Sequence, residues 1–186
     1  EGFEFINGII AFGAQTEQAP PPEGLAIVGE LPAIDFDEWL ALSGAPRIGG
    51  GKVFIGNSCA DMGLNRGHVD AVDARTGKHL WRFYTVPGDP EKPQDSELYE
   101  MAAKTWGDGW YEKTRGCGSV WDAMVYDPEL DQLIIGTGAP APSDPTKRGK
   151  DAGDELFTNA VVALDAQTGE YRWHFSQVPG DGWNYE

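Results

Sequence analysis

Few of the common catalytic sets are present in this chain. His68, His79 and His174 lie in or beside strand-like segments and share no metal-ligand spacing, so they read as surface or packing residues. Cys59 and Cys117 are too few for a disulfide framework and sufficient for one bridge. No glycine-rich phosphate loop and no Gly-x-Ser-x-Gly elbow occurs. Lys147-Arg148-Gly149-Lys150 is a short basic stretch whose default reading is a solvated loop, with an acidic partner as the alternative. Asp181, in Pro179-Gly180-Asp181-Gly182, reads as a turn residue on local pattern alone. What recurs is aromatic: a tryptophan at a fixed distance from an Asp-x-x-Thr-Gly turn.

The element that positions that tryptophan is a β-hairpin. Val69-Asp70-Ala71-Val72-Asp73-Ala74-Arg75-Thr76-Gly77-Lys78-His79-Leu80-Trp81 aligns without gaps on Val161-Val162-Ala163-Leu164-Asp165-Ala166-Gln167-Thr168-Gly169-Glu170-Tyr171-Arg172-Trp173. In each, an apolar run enters, a turn follows, and an aromatic-rich run leaves. Gly77 and Gly169 supply the positive φ of the turn. Asp73 and Asp165 can accept from turn amides. Trp81 and Trp173 can pack between neighbouring sheets. A degenerate copy, Met124 to Gly136, keeps strand–Asp–turn–strand and lacks the Gly and Trp. The copies stand 92 positions apart. A propeller blade takes roughly 40–50 residues, so the spacing predicts two blades. The fold class expected is all-β: a partial β-propeller of four-stranded antiparallel blades with tryptophan docking motifs. A sandwich holding an isolated hairpin pair is the alternative.

Further strands are expected over 52–57, 119–127, 132–138 and 157–165. A helix is expected over 96–105, capped by Asp95 or Ser96, with Leu98, Met101, Ala102 and Thr105 on one side. Segments 85–118 and 139–155 are excursions too long for blade turns, and long loops of this kind often bind ligands. Residues 18–24 form a Pro-rich loop, and 35–40 suit a helical turn. Residues 1–41 carry little pattern, and the family-like blades are expected over 42–186 of a single 1–186 domain.

The chain has 186 residues, 25 Gly and 13 Pro, which suits many short strands and turns. Its formal charge of −16 disfavours nucleic acid and anionic membrane surfaces as partners. No apolar run is long enough for a transmembrane helix, and no signal peptide is evident. A start at Glu1 and an end inside a pattern read as a mature or truncated chain.

Over 42–186 the chain resembles the quinoprotein alcohol dehydrogenases, which use pyrroloquinoline quinone (PQQ) and a calcium or lanthanide ion on an eight-bladed propeller. The matching stretches include Ser43-Gly44-Ala45-Pro46-Arg47, Gly51-Lys52-Val53-Phe54-Ile55-Gly56-Asn57-Ser58, Trp81-Arg82-Phe83-Tyr84-Thr85-Val86-Pro87-Gly88-Asp89-Pro90, Ser119-Val120-Trp121-Asp122, Ile135-Gly136-Thr137-Gly138 and Pro179-Gly180-Asp181-Gly182-Trp183. The resemblance implies that the chain is about a third of a full-length member.

It also implies site residues. Ser43 takes the place of a quinone-binding Thr, and Ser119 that of the Thr in Thr-x-Trp. Ser58, Cys59 and Ala60 fall on a small-residue stretch beside the cofactor. Trp121 matches the tryptophan that stacks on the flat quinone. Asp61 matches the Glu among the metal ligands. Ala139 matches an Asn ligand and has no donor. Asn184 matches the catalytic Asp: it cannot act as a base but can offer its carbonyl oxygen to a hard cation. Asp181 or Asp61 is then the substitute base. Cys59 and Cys117 fall at family glycine positions near the cofactor, so the expectation is a bridge between two blades, with two buried free thiols as the alternative.

The function implied is periplasmic, PQQ-dependent oxidation of a small alcohol, with electrons passed to a cytochrome c. Ala139 and Asn184 favour the alternative, a propeller scaffold or binding protein with a degenerate metal site.

Overall fold

The computed structural model describes residues 44–59, 65–149 and 153–182, apart from the side chain of Lys113. The Pro-rich loop at 18–24, the helical turn at 35–40, and Ser43, Ala60, Asp61, Lys150, Trp183 and Asn184 lie outside these residues.

Two four-stranded antiparallel meanders form. The first orders β1 (Arg47–Gly49), β2 (Lys52–Gly56), β3 (His68–Asp73) and β4 (His79–Tyr84). The second orders β5 (Met124–Asp127), β6 (Gln132–Gly136), β7 (Ala160–Asp165) and β8 (Tyr171–Ser176). Alternation selects the buried faces. Phe54, Val69, Ala71, Trp81 and Phe83 from one sheet share a core with Met124, Leu133, Ile135, Val162 and Leu164 from the other. Each large apolar side chain so buried contributes about 1.5–3 kcal/mol. The inner strands also meet, where Arg47 Nε donates to Met124 O at 3.0 Å.

The repeated hairpins form as their sequences require. Asp73 Oδ1 accepts from Arg75 N at 3.1 Å and Thr76 N at 2.7 Å. Asp165 Oδ1 accepts from Gln167 N at 2.8 Å and Thr168 N at 2.9 Å. Gly77 and Gly169 sit at φ of 70° and 75°. Both hairpins shift register at the same place, between Ala71 and Val72 and between Ala163 and Leu164.

The spacing of the repeat has a different meaning from the one its length suggested. It is a step of one sheet, because no strand lies between Tyr84 and Met124. The degenerate copy is the β5–β6 hairpin of the second sheet itself. The excursions lengthen the repeat. The strands expected at 119 and 157 begin later, at Met124 and Ala160.

The first excursion carries α1 (Glu97–Ala103) and α2 (Trp110–Thr114). Ser96 caps α1, accepting from Tyr99 N. Of the side expected to face inward, Ala102 is buried and Leu98 packs against the core, Tyr99 is buried beside them, and Met101 is exposed instead. The Tyr99 hydroxyl accepts from Tyr84 N at 2.9 Å and donates to Tyr84 O at 3.0 Å, docking the helix on the end of β4. Trp106 and Trp110 pack against each other, tilted by 33° with centroids 4.2 Å apart, and Trp106 Nε1 donates to Leu156 O at 2.8 Å. The second excursion carries α3 (Pro145–Arg148), capped by Asp144. Among the described residues no helix is long and apolar enough to cross a membrane.

Candidate functional site

Beyond the strand ends, main-chain hydrogen bonds continue across both sheets as a belt. Val120 N donates to Asn57 O at 3.0 Å, Gly138 N to Ser119 O at 2.8 Å, Asn159 N to Gly138 O at 3.1 Å, and Gln177 N to Asn159 O at 2.8 Å. The segment 117–121 threads between the sheets because glycines make room. A Cβ on Gly56 would strike the Val120 carbonyl, and one on Gly67 would strike the Gly118 carbonyl.

Cys59 and Cys117 are joined in a disulfide, with Cα atoms 5.6 Å apart. The bridge ties the rim of the first sheet to the threading segment. Cys117 O accepts from Gly67 N at 2.6 Å, and Gly118 N donates to Ala139 O at 3.3 Å. The bridged alternative expected from the resemblance is therefore the one observed.

A cleft of about 230 Å³ opens on this belt, walled by Trp121, Asp122, Thr137, Gly138, Asn159 and Gln177 among others. Trp121 leaves 46% of its surface exposed. An indole held at the end of a rigid segment with an open face is a stacking platform for a flat ligand. Ser119 is buried beside it, and Ser58 is half-buried on the far side of Asn57. Ala139 follows Gly138 on the belt and carries only a methyl group.

Asp181 is buried, and its Oδ2 accepts from Asn159 Nδ2 at 3.0 Å. Its main-chain carbonyl accepts from Arg148 Nη2. Arg148, expected in a solvated loop, is fully buried instead. It donates from Nε to Glu155 Oε1 at 2.6 Å and from Nη1 to Pro142 O at 2.8 Å and Ser143 O at 2.9 Å. A guanidinium leaves water only where partners meet its donors, and here three carbonyls and a carboxylate do so. Burial pushes the Glu155 carboxyl up, Arg148 opposes that, and the Asp181 charge adds to the rise. The network pins residues 178–182 against the second excursion.

The structure thus gathers Ser58, Cys59, Ser119, Trp121 and Ala139 along one belt. It brings Asp181 to the same region through Asn159. Asn159 and Glu155 carry no motif in the sequence, and Arg148 reads there only as part of a solvated basic stretch. The available signal was a polar pair, Thr158-Asn159, heading an apolar run, and Asn159 adopts a left-handed φ of 45° where the strand was expected to have begun. Among the described residues no group of three or more His, Cys, Asp or Glu side chains is placed to hold a metal.

Two adjacent four-stranded antiparallel sheets joined through a shared core, with a tryptophan-walled cleft at the rim of the second, define part of a β-propeller. Residues 28–186 match the family model described as PQQ: glucose/ethanol/alcohol dehydrogenase, beta-propeller domain, and the chain belongs to that family.

Among curated relatives, a lupanine 17-hydroxylase [cytochrome c] of Pseudomonas sp is 56% identical over 77% of this chain and 21% of its own length. The quinohemoprotein alcohol dehydrogenase ADH-IIG of Pseudomonas putida is 51% identical over 81% of this chain and 21% of its own length. The crystal structure of the quinohemoprotein alcohol dehydrogenase from Comamonas testosteroni superposes with a TM-score of 0.73 at 43% identity, covering 78% of this chain and 22% of that one. A europium-containing methanol dehydrogenase superposes at 0.64 with 30% identity, covering 78% of this chain and 26% of that one. The chain therefore spans about a fifth of the length of the relatives it matches, rather than a third.

Proposed function

We propose that these two sheets form part of the cofactor pocket of a periplasmic PQQ-dependent alcohol dehydrogenase. The observation that carries the reading is Trp121, fixed on the belt with an open face over the cleft. PQQ, when bound, supplies the two-electron acceptor for the substrate carbinol. Trp121 offers the flat surface on which such a ring packs. Ser43, Ser58 and Ser119 supply hydroxyls for its edge, and Cys59 and Ala60 keep the neighbouring wall small.

The described residues suit such a group. The cleft is open beside an indole, and Asn159, one of the residues that line it, is held by Asp181. Asp61 and Asn184 add oxygen donors for a calcium or lanthanide ion. The burial of Asp181 and its bond to Asn159 support a holding role for that carboxylate. The Cys59–Cys117 disulfide supports an oxidising compartment such as the periplasm. The relatives named as quinohemoproteins, and the hydroxylase whose name includes cytochrome c, support a cytochrome c as electron acceptor.

The test is to add PQQ with calcium or a lanthanide to the full-length protein and follow dye-linked alcohol oxidation. Quinone binding that Trp121→Ala abolishes is expected. No quinone binding with either metal overturns the reading. Ala139, without a donor, favours a second reading, a scaffold with a degenerate metal site. Quinone binding without turnover would support it.

A further inference from the structure

Residues 115–118 follow a path that their own backbone preferences do not select. Arg115, Gly116, Cys117 and Gly118 take φ of 60°, 86°, 61° and 63° in succession. The two glycines adopt the left-handed region freely, whereas Arg115 and Cys117 enter it at a cost. Contacts outside the segment must therefore hold it. Main-chain pairing does part of this, since Cys117 pairs with Arg66 on one side and Pro140 on the other, and Thr85 Oγ1 donates to Gly118 O. Each such bond can be exchanged for one to water. The Cys59–Cys117 disulfide cannot.

The bridge closes a short ring. Cys59 lies just beyond Asn57, and Cys117 just before Val120, whose N donates to Asn57 O at 3.0 Å. Asn57 is itself fixed: its Oδ1 accepts from His68 N at 2.7 Å and its Nδ2 donates to Arg66 O at 3.0 Å. The stretches 57–59 and 117–120 are thus clamped at both ends, by a hydrogen bond at one and a covalent bond at the other. Ser58 lies on one arm of the ring and Ser119 on the other, and Trp121 directly follows Val120. A link between positions 58 residues apart removes more conformational freedom than a local contact can.

We propose that Cys59 and Cys117 are positioning residues, whose disulfide holds segment 117–121 so that Ser119 and the Trp121 ring are in place before the quinone arrives. This rests on the quinone reading of the cleft. The gain is preorganisation: order built into the fold is not taken out of the binding energy. The role differs from that of a purely stabilising bridge in one measurable way. Opening the bridge loosens the quinone even where the protein stays folded.

Cys117→Gly in the full-length protein is the variant of choice, because glycine suits a φ of 61° and Cys59 stays in place. PQQ titrated into the apoprotein is expected to bind ~10-fold more weakly, as when the competent arrangement falls to about a tenth of the population. Amide hydrogen exchange across 117–121 is expected to speed up in the apoprotein, before any quinone is added. Cys59→Ala, a second way to open the bridge, and the double variant are expected to match Cys117→Gly, because all three break the same bond. Trp81→Ala, which removes a ring from the shared core, is the control for lost stability and is expected to keep the parent's quinone affinity. Near-UV circular dichroism checks that each variant keeps its fold. Parent protein that binds the quinone while folded Cys117→Gly and Cys59→Ala bind it equally well overturns this inference alone. So does a weakening that Trp81→Ala reproduces. Parent protein that binds no quinone overturns the reading beneath it, and this inference with it.

Discussion

The β3–β4 and β7–β8 hairpins share their turn, their bulge and their tryptophan, yet the tryptophans end in opposite surroundings. Trp81 is 8% exposed, and its Nε1 donates to Ala166 O at 3.2 Å. Its ring lies on the Gly169 turn of the second sheet, where a Cβ would come within 2.6 Å of it. Trp173 is 42% exposed, and Phe175, the counterpart of buried Phe83, is 65% exposed. The hairpin sequence therefore dictates the turn and where the ring projects, but not burial. The residue serves the seam between sheets, and burial needs the turn of a neighbour. Among the described residues no third sheet covers Trp173.

The sharpest way to break this contrast is truncation. Trp81→Ala is expected to lower stability by about 3–5 kcal/mol, and Trp173→Ala in the same chain by less than about 1 kcal/mol, read from urea unfolding. Equal losses would show that the two rings do the same work.

A second difference lies at the start of the matching strands, where His68 of the first sheet has Ala160 as its counterpart in the second. Burial holds the His68 imidazole down at about 4, against the pull of Asp70. The unfolded chain takes up this proton near pH 6.5 and the fold does not. Stability is therefore full above pH 6.5 and falls as the pH drops toward 4, by up to about 3 kcal/mol. Unfolding curves of the parent and His68→Ala across this window should show a slope that the variant loses.

The turn glycines separate strain from contact. Gly51 has a φ of 75° and open space around it, while Gly169 has the same φ and the Trp81 ring against it. Gly51→Ala is expected to cost about 1 kcal/mol, and Gly169→Ala about 2 kcal/mol through the added crowding. Thermal melts that rank them the other way would remove Gly169 from the seam.

The smallest expected effect is electrostatic. Arg172 Nη2 lies 2.8 Å from Asp165 Oδ2, and with the turn amides it holds that carboxyl down at about 2. In the first hairpin Leu80 takes the place of Arg172, and Asp73 is lowered first by the Thr76 hydroxyl. Stability from Asp165 is present above its unfolded value near 4 and is lost as the pH falls through 2. Carboxyl NMR titration should place Asp165 below Asp73, and Arg172→Leu should close most of the gap.

Much of the fold was legible because its signals are local. Asp73 with Gly77, and Asp165 with Gly169, specify their turns within a few residues, and Ser96 specifies the start of α1. The site was less legible. Trp121 and the serines stood out through resemblance to a family. Arg148 looked like part of a solvated basic loop, because nothing near it in sequence announces Glu155 or the Asp181 carbonyl. Met101 shared the helical period of Leu98 and Ala102, which do pack on the core, yet it is exposed, while Tyr99 is anchored to the end of β4 through its hydroxyl.

By itself, then, the sequence determined the β architecture, the two hairpins and the rings able to stack, since these follow from alternation, turn chemistry and side-chain type. The tertiary structure alone decided that the repeat steps by one sheet, that Trp81 is covered and Trp173 is not, and that Asn159 is held by Asp181 with its oxygen unpaired. Those outcomes depend on groups far apart in the chain, whose meeting is set by how the excursions return to the belt.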